Sequence, residues 1–225
     1  MRFGSWKPER GWGAFATELA VVILGVLIAL SAEQAVSWLR RQDDVRSFRT
    51  AIDDELATNL AAFHFRLGQQ ACVANRLAEL RALRDRALSG QTAAVRGEVG
   101  RPSVASMGTS VWSARDTEVM SAMPLDLRLG YSQLYDELGT NYEQITQERE
   151  AWRSMARFNR VPQLSQEDAR TLSELVFRAE SIDRVLRFNS PLVEEKAKAL
   201  GIRPSEELKR ILGTPDGGLC QSLAR

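Results

Sequence analysis

One histidine, His64, and two cysteines, Cys72 and Cys220, are the chain's whole stock of the side chains that most often act as nucleophiles, general bases or soft-metal ligands. A Ser/His/Asp triad, a Cys/His dyad and a His-based metal site each need histidine at a defined place, and only one is present. His64 stands between Phe63 and Phe65, where an ordinary hydrogen-bonded side chain is the plainer expectation than a ligand. Asp53, Asp54 and Glu55 form one acidic cluster, and Glu143, Glu148 and Glu150 form another. Neither contains a Glu-x-x-His pair, so both read as solvated helix faces rather than metal sites. The chain has no Walker-type loop, no Gly-x-Gly-x-x-Gly turn and no Cys-x-x-Cys, and Gly11-Trp12-Gly13 is too short to cradle a phosphate. Tyr131, Tyr135, Tyr142 and Trp152, spaced for a helix face, are read as helix–helix core. The expectation is a protein that is not an enzyme and needs no cofactor.

The charge balance points the same way. Thirty Lys and Arg against 29 Asp and Glu leave a net charge of +1, which gives no reason to expect a nucleic-acid partner. Twenty-six of the basic residues are Arg and four are Lys. These arginines are read as solvated surface, Arg49, Arg66 and Arg76 among them.

The strongest pattern is apolar. Gly11 to Ala32 reads GWGAFATELAVVILGVLIALSA, with Glu18 as its one charge and no polar residue from Leu19 to Leu30. A bilayer core of about 30 Å needs roughly 20 apolar helical residues, so the segment is long enough to span. Trp6, Trp12 and Trp38 flank it where indole rings favour the headgroup zone. A cleavable signal peptide has a similar layout, with Arg2, Lys7 and Arg10 ahead of the apolar stretch. No turn former follows Leu30, however, so an uncleaved anchor is expected. Basic residues on the two sides nearly balance; the short tail favours a cytoplasmic N-terminus and an exported C-terminal part. Glu18 lies about 9 Å past Trp12 at helical rise, shallow enough to snorkel, yet it is also placed to engage a partner helix. Gly25 and Ala29 make a small-xxx-small pair that lets two helices approach.

Beyond Trp38 the apolar residues fall at intervals of three and four. One long helix is expected to about Ala87, stopped by Ser89-Gly90, and nothing in the sequence bars its being continuous with the span. Residues 89–110 read as a loop and Trp112 to Met123 as a short helix closed by Pro124. A second long helix runs from about Leu125 to Phe158, with Leu129 among its apolar positions. Ser165 with Asp168 three residues on is a capping box for a third, carrying Leu172, Val176, Ile182, Val185, Leu186 and Phe188. Pro191 is expected to kink or interrupt it, and Pro204-Ser205 to open a last helix ending at Leu212. No window alternates long enough for a strand. The fold class is all-α, a single N-terminal transmembrane helix followed by an antiparallel helical bundle. Its parts are a short basic tail over 1–12, the anchor over 13–32 and a helical domain over 33–225. An even pair of cysteines in an exported chain points to a Cys72–Cys220 disulfide, with two free buried thiols the alternative if the domain is cytoplasmic.

The run from Glu18 through Leu30, with Asn59-Leu60, Cys72, Arg76-Leu77-Ala78-Glu79-Leu80, Trp112, Tyr131, Leu134-Tyr135, Glu150-Ala151-Trp152 and Cys220, resembles a family of bacterial single-span membrane proteins. Those proteins have a Glu-led VLGVLIAL-type anchor and a helical extracytoplasmic region. The resemblance implies architecture and no activity. The expectation is therefore an inner-membrane, single-pass protein whose periplasmic helical domain serves as a scaffold, sensor or binding module. Its partners would be the lipid bilayer and either a protein or a second copy reached through the membrane helix. The alternative is an accessory subunit of a membrane complex that uses Glu18 to engage a partner helix.

Overall fold

The computed structural model describes residues 12–213 and 218–223, without the side chains of Trp12 and Ala14. The basic tail with Arg2, Trp6, Lys7 and Arg10 and the Thr214–Gly217 part of the last turn therefore lie outside the described residues. The described residues are all-α, with no strand. Helix α1 runs without a break from Trp12 to Leu67, so the apolar segment passes directly into the domain. At 1.5 Å per residue its 56 residues make a rod of roughly 84 Å. Helix α2, Gln70–Leu88, continues it after a two-residue break. The single helix expected to Ala87 is thus two. Gly68 lowers helix propensity there, and the Gln69 N–H closes a tighter bond to the Arg66 carbonyl at 3.2 Å. The stop at Ser89-Gly90 is as expected: Gly90 takes a left-handed φ of 75° and the Gln91 N–H returns to Arg86 O.

Residues 89–109 carry no regular structure and run as an extended strap. Short helices α3 (Ser110–Ser113) and α4 (Thr117–Ala122) follow, where one was expected. Asp116 separates them by capping α4, accepting from the Glu118 and Val119 N–H groups. The long helices α5 (Leu125–Met155) and α6 (Gln166–Leu200) complete the bundle, and α7 (Glu206–Leu212) closes it against α1. The capping box at Ser165 and Asp168 is present. Pro191 does not interrupt α6, because it sits on the exposed face, where water can serve the carbonyl left without its N–H.

Side-chain pairs fix the directions. Tyr131, Tyr135 and Glu148 of α5 meet Asp53, Glu55 and Arg66 of α1 in the same order, so α5 runs with α1. Helix α6 is antiparallel to α5, with Lys196 reaching Glu137 and Asn189 reaching Asn141. The strap makes this possible by carrying the chain from the end of α2 back to the level of Glu55. Two apolar cores result. One joins Ile52, Leu56, Leu60 and Phe63 to Tyr131, Leu134, Leu138 and Leu186. The other joins Val73, Leu77, Leu80 and Leu83 to Trp152, Met155, Phe158, Leu172 and Val176. Leu129, Val185 and Phe188, expected among the apolar core positions, are instead exposed.

Candidate functional site

The apolar end of α1 packs on no other element among the described residues. Phe15, Leu19, every large residue from Val21 to Ile28, and Leu30 are exposed, apolar around the whole circumference. By length and composition this is one helix able to cross a membrane. A surface like this is rarely left to water. The hydroxyls within it bond back to the helix, Thr17 Oγ1 to Gly13 O at 2.9 Å and Ser31 Oγ to Leu27 O at 2.7 Å, as the exposed Thr50 and Thr58 also do further along α1. Because the helix is continuous, Gly25 and Ala29, seven and eleven residues after Glu18, fall within about 20° of it on one face. A Cβ added at Gly25 would meet nothing within 4 Å, so that face is open to a close neighbour. The sequence candidates Glu18, Gly25 and Ala29 thus share one helix face, with Gly25 and Ala29 about 10 and 16 Å along the axis from Glu18.

From Glu33 to Asp44 the helix remains exposed, and charged and polar residues now stand among Val36, Trp38 and Leu39. Helix α4 docks on this stretch, with Glu118 at 4.0 Å from Arg41. Ser37, Arg40, Arg41 and Asp44 line a groove against Asp116, Glu118, Val119 and Ala122.

Where the two apolar cores meet lies a buried ionic cluster. Arg66 Nε donates to Glu148 Oε2 at 2.7 Å and Nη2 to Oε1 at 2.5 Å, a two-pronged pair, while Nη2 also reaches Asp183 at 3.3 Å. Trp152 Nε1 donates to Glu148, and Arg187 closes the outer side of Asp183 at 3.0 Å. Arg66 and Glu148 are at most 1% exposed. Burial opposes the charge on Arg66, but its bonds to Glu148 and the charges of Glu148 and Asp183 outweigh this and hold it more firmly protonated than usual. The remaining nitrogen, Nη1, is buried without a hydrogen-bond partner among the described residues.

A second buried arginine, Arg76, clamps the C-terminal tail. Its guanidinium donates to the carbonyls of Glu98, Gly218, Leu219 and Gln221. Burial lowers its basicity, partly offset by the charge of Glu79, whose carboxylate also receives Ser222 and the Leu223 N–H. Cys72 and Cys220 are bonded 148 residues apart, with Leu219 and Leu223 buried on either side. The strap is held by the same face of α1 and α2. Gln69 exchanges two bonds with Ser103, and Asn59 two with Gly108. Glu55 accepts from Ser110 and from the Val111 and Trp112 N–H groups at the start of α3, and from Tyr135. Partial burial opposes ionisation of Glu55, but these four donors together hold its pKa below the usual carboxylate range. Burial and the bond to Asp53 push Tyr131 up to about 12, and Tyr135 is raised further by burial and Glu55.

The acidic clusters are solvated faces only in part. Glu148, Asp53 and Glu55 are engaged inside the bundle, while Asp54, Glu143 and Glu150 are exposed. His64 hydrogen-bonds Glu194 and does not join them. Tyr131, Tyr135 and Trp152 are core residues, as expected, and Tyr142 is half-buried. Arg66 and Arg76, read as surface, are instead buried. Their signal was a stripe of polar residues at helical spacing (Glu55, Asn59, Arg66, Gln69, Arg76, Glu79), which lies beneath the strap, the tail and α5 rather than under water. No protein-family model, curated protein or solved structure matches this chain.

Proposed function

We propose that the chain is a single-span inner-membrane protein whose helical domain, exported to the periplasm, works as a binding or scaffolding module held rigidly on its anchor. The observation that carries this reading is α1 itself: one uninterrupted helix that is apolar without a break from Leu19 to Leu30 and, from Ile52 onward, is built into the domain core. Such an element sets the height and orientation of everything attached to it. The Cys72–Cys220 disulfide supports export, since such bonds persist in oxidising compartments. The buried ionisable groups Arg66, Glu148, Asp183 and Arg76 are engaged with one another or with backbone, which suits a structural part better than a reacting one.

Three measurements test it. The chain should stay in the membrane pellet through alkaline carbonate extraction; release would remove the anchor. Reporter domains fused after Leu88 and after Arg225 should both read periplasmic, and a cytoplasmic signal would reverse the topology. Thiol labelling of unfolded, unreduced protein should find no free cysteine; two labelled thiols would overturn the oxidised state.

A further inference from the structure

The solvent face of α6 carries an apolar stripe that the bundle does not use. Phe177, Val185, Phe188 and Leu192 are all exposed, the two phenylalanines at 67% and 77%. With Ser181 and Pro191 they follow one face over four turns, at roughly 100° per residue. Asp183 and Glu194, which meet Arg66 and His64 of α1, lie on the opposite side of the same helix. We propose that this stripe is the contact between two copies of the chain, with α6 packed in parallel against its counterpart about a two-fold axis normal to the bilayer. This rests on the anchored topology proposed above.

Three observations select a second copy. Both copies enter the bilayer through the same segment in the same sense, so a symmetric pair keeps equivalent residues at equal height, and each stripe residue meets its own equivalent. The edges of the stripe then complement each other. Glu180 borders one side and Arg178 and Lys196 the other, while Arg184 and Glu195 lie beside Phe177 on the face itself; parallel pairing sets Glu180 against the basic edge, whereas antiparallel pairing sets like edges together. Glu180 and Lys196 also hold Arg81 and Glu137 within the chain, so the contact they add is at the rim. The area fits a tethered pair as well. The four apolar side chains offer on the order of 400 Å², about half of the roughly 800 Å² per partner of a stable free dimer. Confinement to one membrane raises the effective concentration enough to offset such a deficit. Since α1 lies behind α6 and packed helices are about 8–10 Å apart, this pairing holds the two membrane spans apart and leaves Gly25 and Ala29 out of the contact.

The test uses the full chain in native membranes, as two differently tagged copies, with a benzophenone amino acid placed at position 177, 188 or, as control, 149. Illumination should give covalent dimers from 177 and 188, mapped to the same level of α6 in the other copy, and none from 149. Phe188→Glu should reduce the dimer captured from 177 at least tenfold, and Phe188→Ser severalfold; neither touches the core, so disulfide formation and helix content should be unchanged. Gly25→Leu should leave capture intact. Adducts from 177 to residues near 192, adducts only to other polypeptides, or a dimer lost with Gly25→Leu and kept with Phe188→Glu would each overturn the proposal. Carbonate extraction of the same membranes reads the anchor separately, so a released chain sinks the topology while the cross-link pattern still judges the α6 contact.

Discussion

Replacing Arg66 by Met leaves two carboxylates, Glu148 and Asp183, buried beside an apolar side chain of similar length. Arg66 is fully buried and makes three charge-assisted bonds, two of them to Glu148. Breaking a buried pair from one side typically costs about 3–5 kcal/mol, because the partner is left charged and unmatched. Against a total stability of about 5–15 kcal/mol, that is roughly a fifth or more of what holds the domain. At roughly 2–4 °C per kcal/mol for a domain of this size, the melting temperature should fall by about 6–20 °C. The double variant Arg66→Met with Glu148→Gln should recover most of the loss. The amide oxygen it introduces can still accept from Trp152 Nε1, and Asp183 keeps Arg187 at 3.0 Å. The assay is thermal and urea unfolding of the full chain in detergent, followed by circular dichroism as a double-mutant cycle. A single-variant loss below about 1 kcal/mol, or additive effects in the cycle, would refute the claim that the pair is energetically coupled.

Three further outcomes follow from the strap and tail. Cys72→Ser with Cys220→Ser should destabilise the domain by about 2–5 kcal/mol, as expected for a closure spanning 148 residues, and hydrogen exchange should first quicken in Leu219–Leu223. The folded pKa of Glu55 lies below the usual range, so its contribution is present above the unfolded value near 4.5 and is lost as pH falls through the lower folded one. Acid titration below about pH 4.5 should therefore release α3 and unstack Trp112 from Tyr135, giving a fluorescence step that Glu55→Gln lacks; a step of equal size in that variant would count against it. Gly100 has a φ of 68°, and an added Cβ would stand 2.8 Å from the Leu219 nitrogen. Gly100→Ala should thus speed hydrogen exchange in Leu219–Leu223 while leaving α5 protected.

The long apolar helix, the helix ends at Gly90, Pro124 and Ser165, and the cysteine pair were legible because each is written in local chemistry: unbroken apolarity, a cap, or an even count of thiols. Arg66 and Arg76 were not. Helical periodicity separates an apolar stripe from a polar one, but it does not say whether water, an extended segment or another helix covers the polar side. The strap hid for a related reason: Ala93, Val95 and Val99 alternate inward over too few residues to signal themselves, and their partners near Val161 and Leu164 are distant in sequence. Val185 and Phe188 were misplaced because on α6 both the core face and the outer face are apolar, so periodicity finds one stripe too wide rather than two.

The polar spine also decides the topology. Two consecutive helices joined by a short turn would run antiparallel, and the apolar stripes of α2 and α5 would permit that hairpin. Here the chain instead runs back along α2 and α1 for the length of the domain before α5 begins. What selects this course is a sequence of polar contacts in matching order. Arg76, Gln69, Asn59 and Glu55 receive Glu98, Ser103, Gly108 and Ser110 in turn. Asp53, Glu55 and Arg66 then meet Tyr131, Tyr135 and Glu148. Reversing α5 would part Glu148 from Arg66 and leave a buried carboxylate unmatched, a penalty of several kcal/mol. Apolar burial makes the bundle stable in either direction. The buried polar pairs make one direction the native one, which places α4 and the start of α5 beside the exposed stalk of α1 and the disulfide-closed end farthest from it.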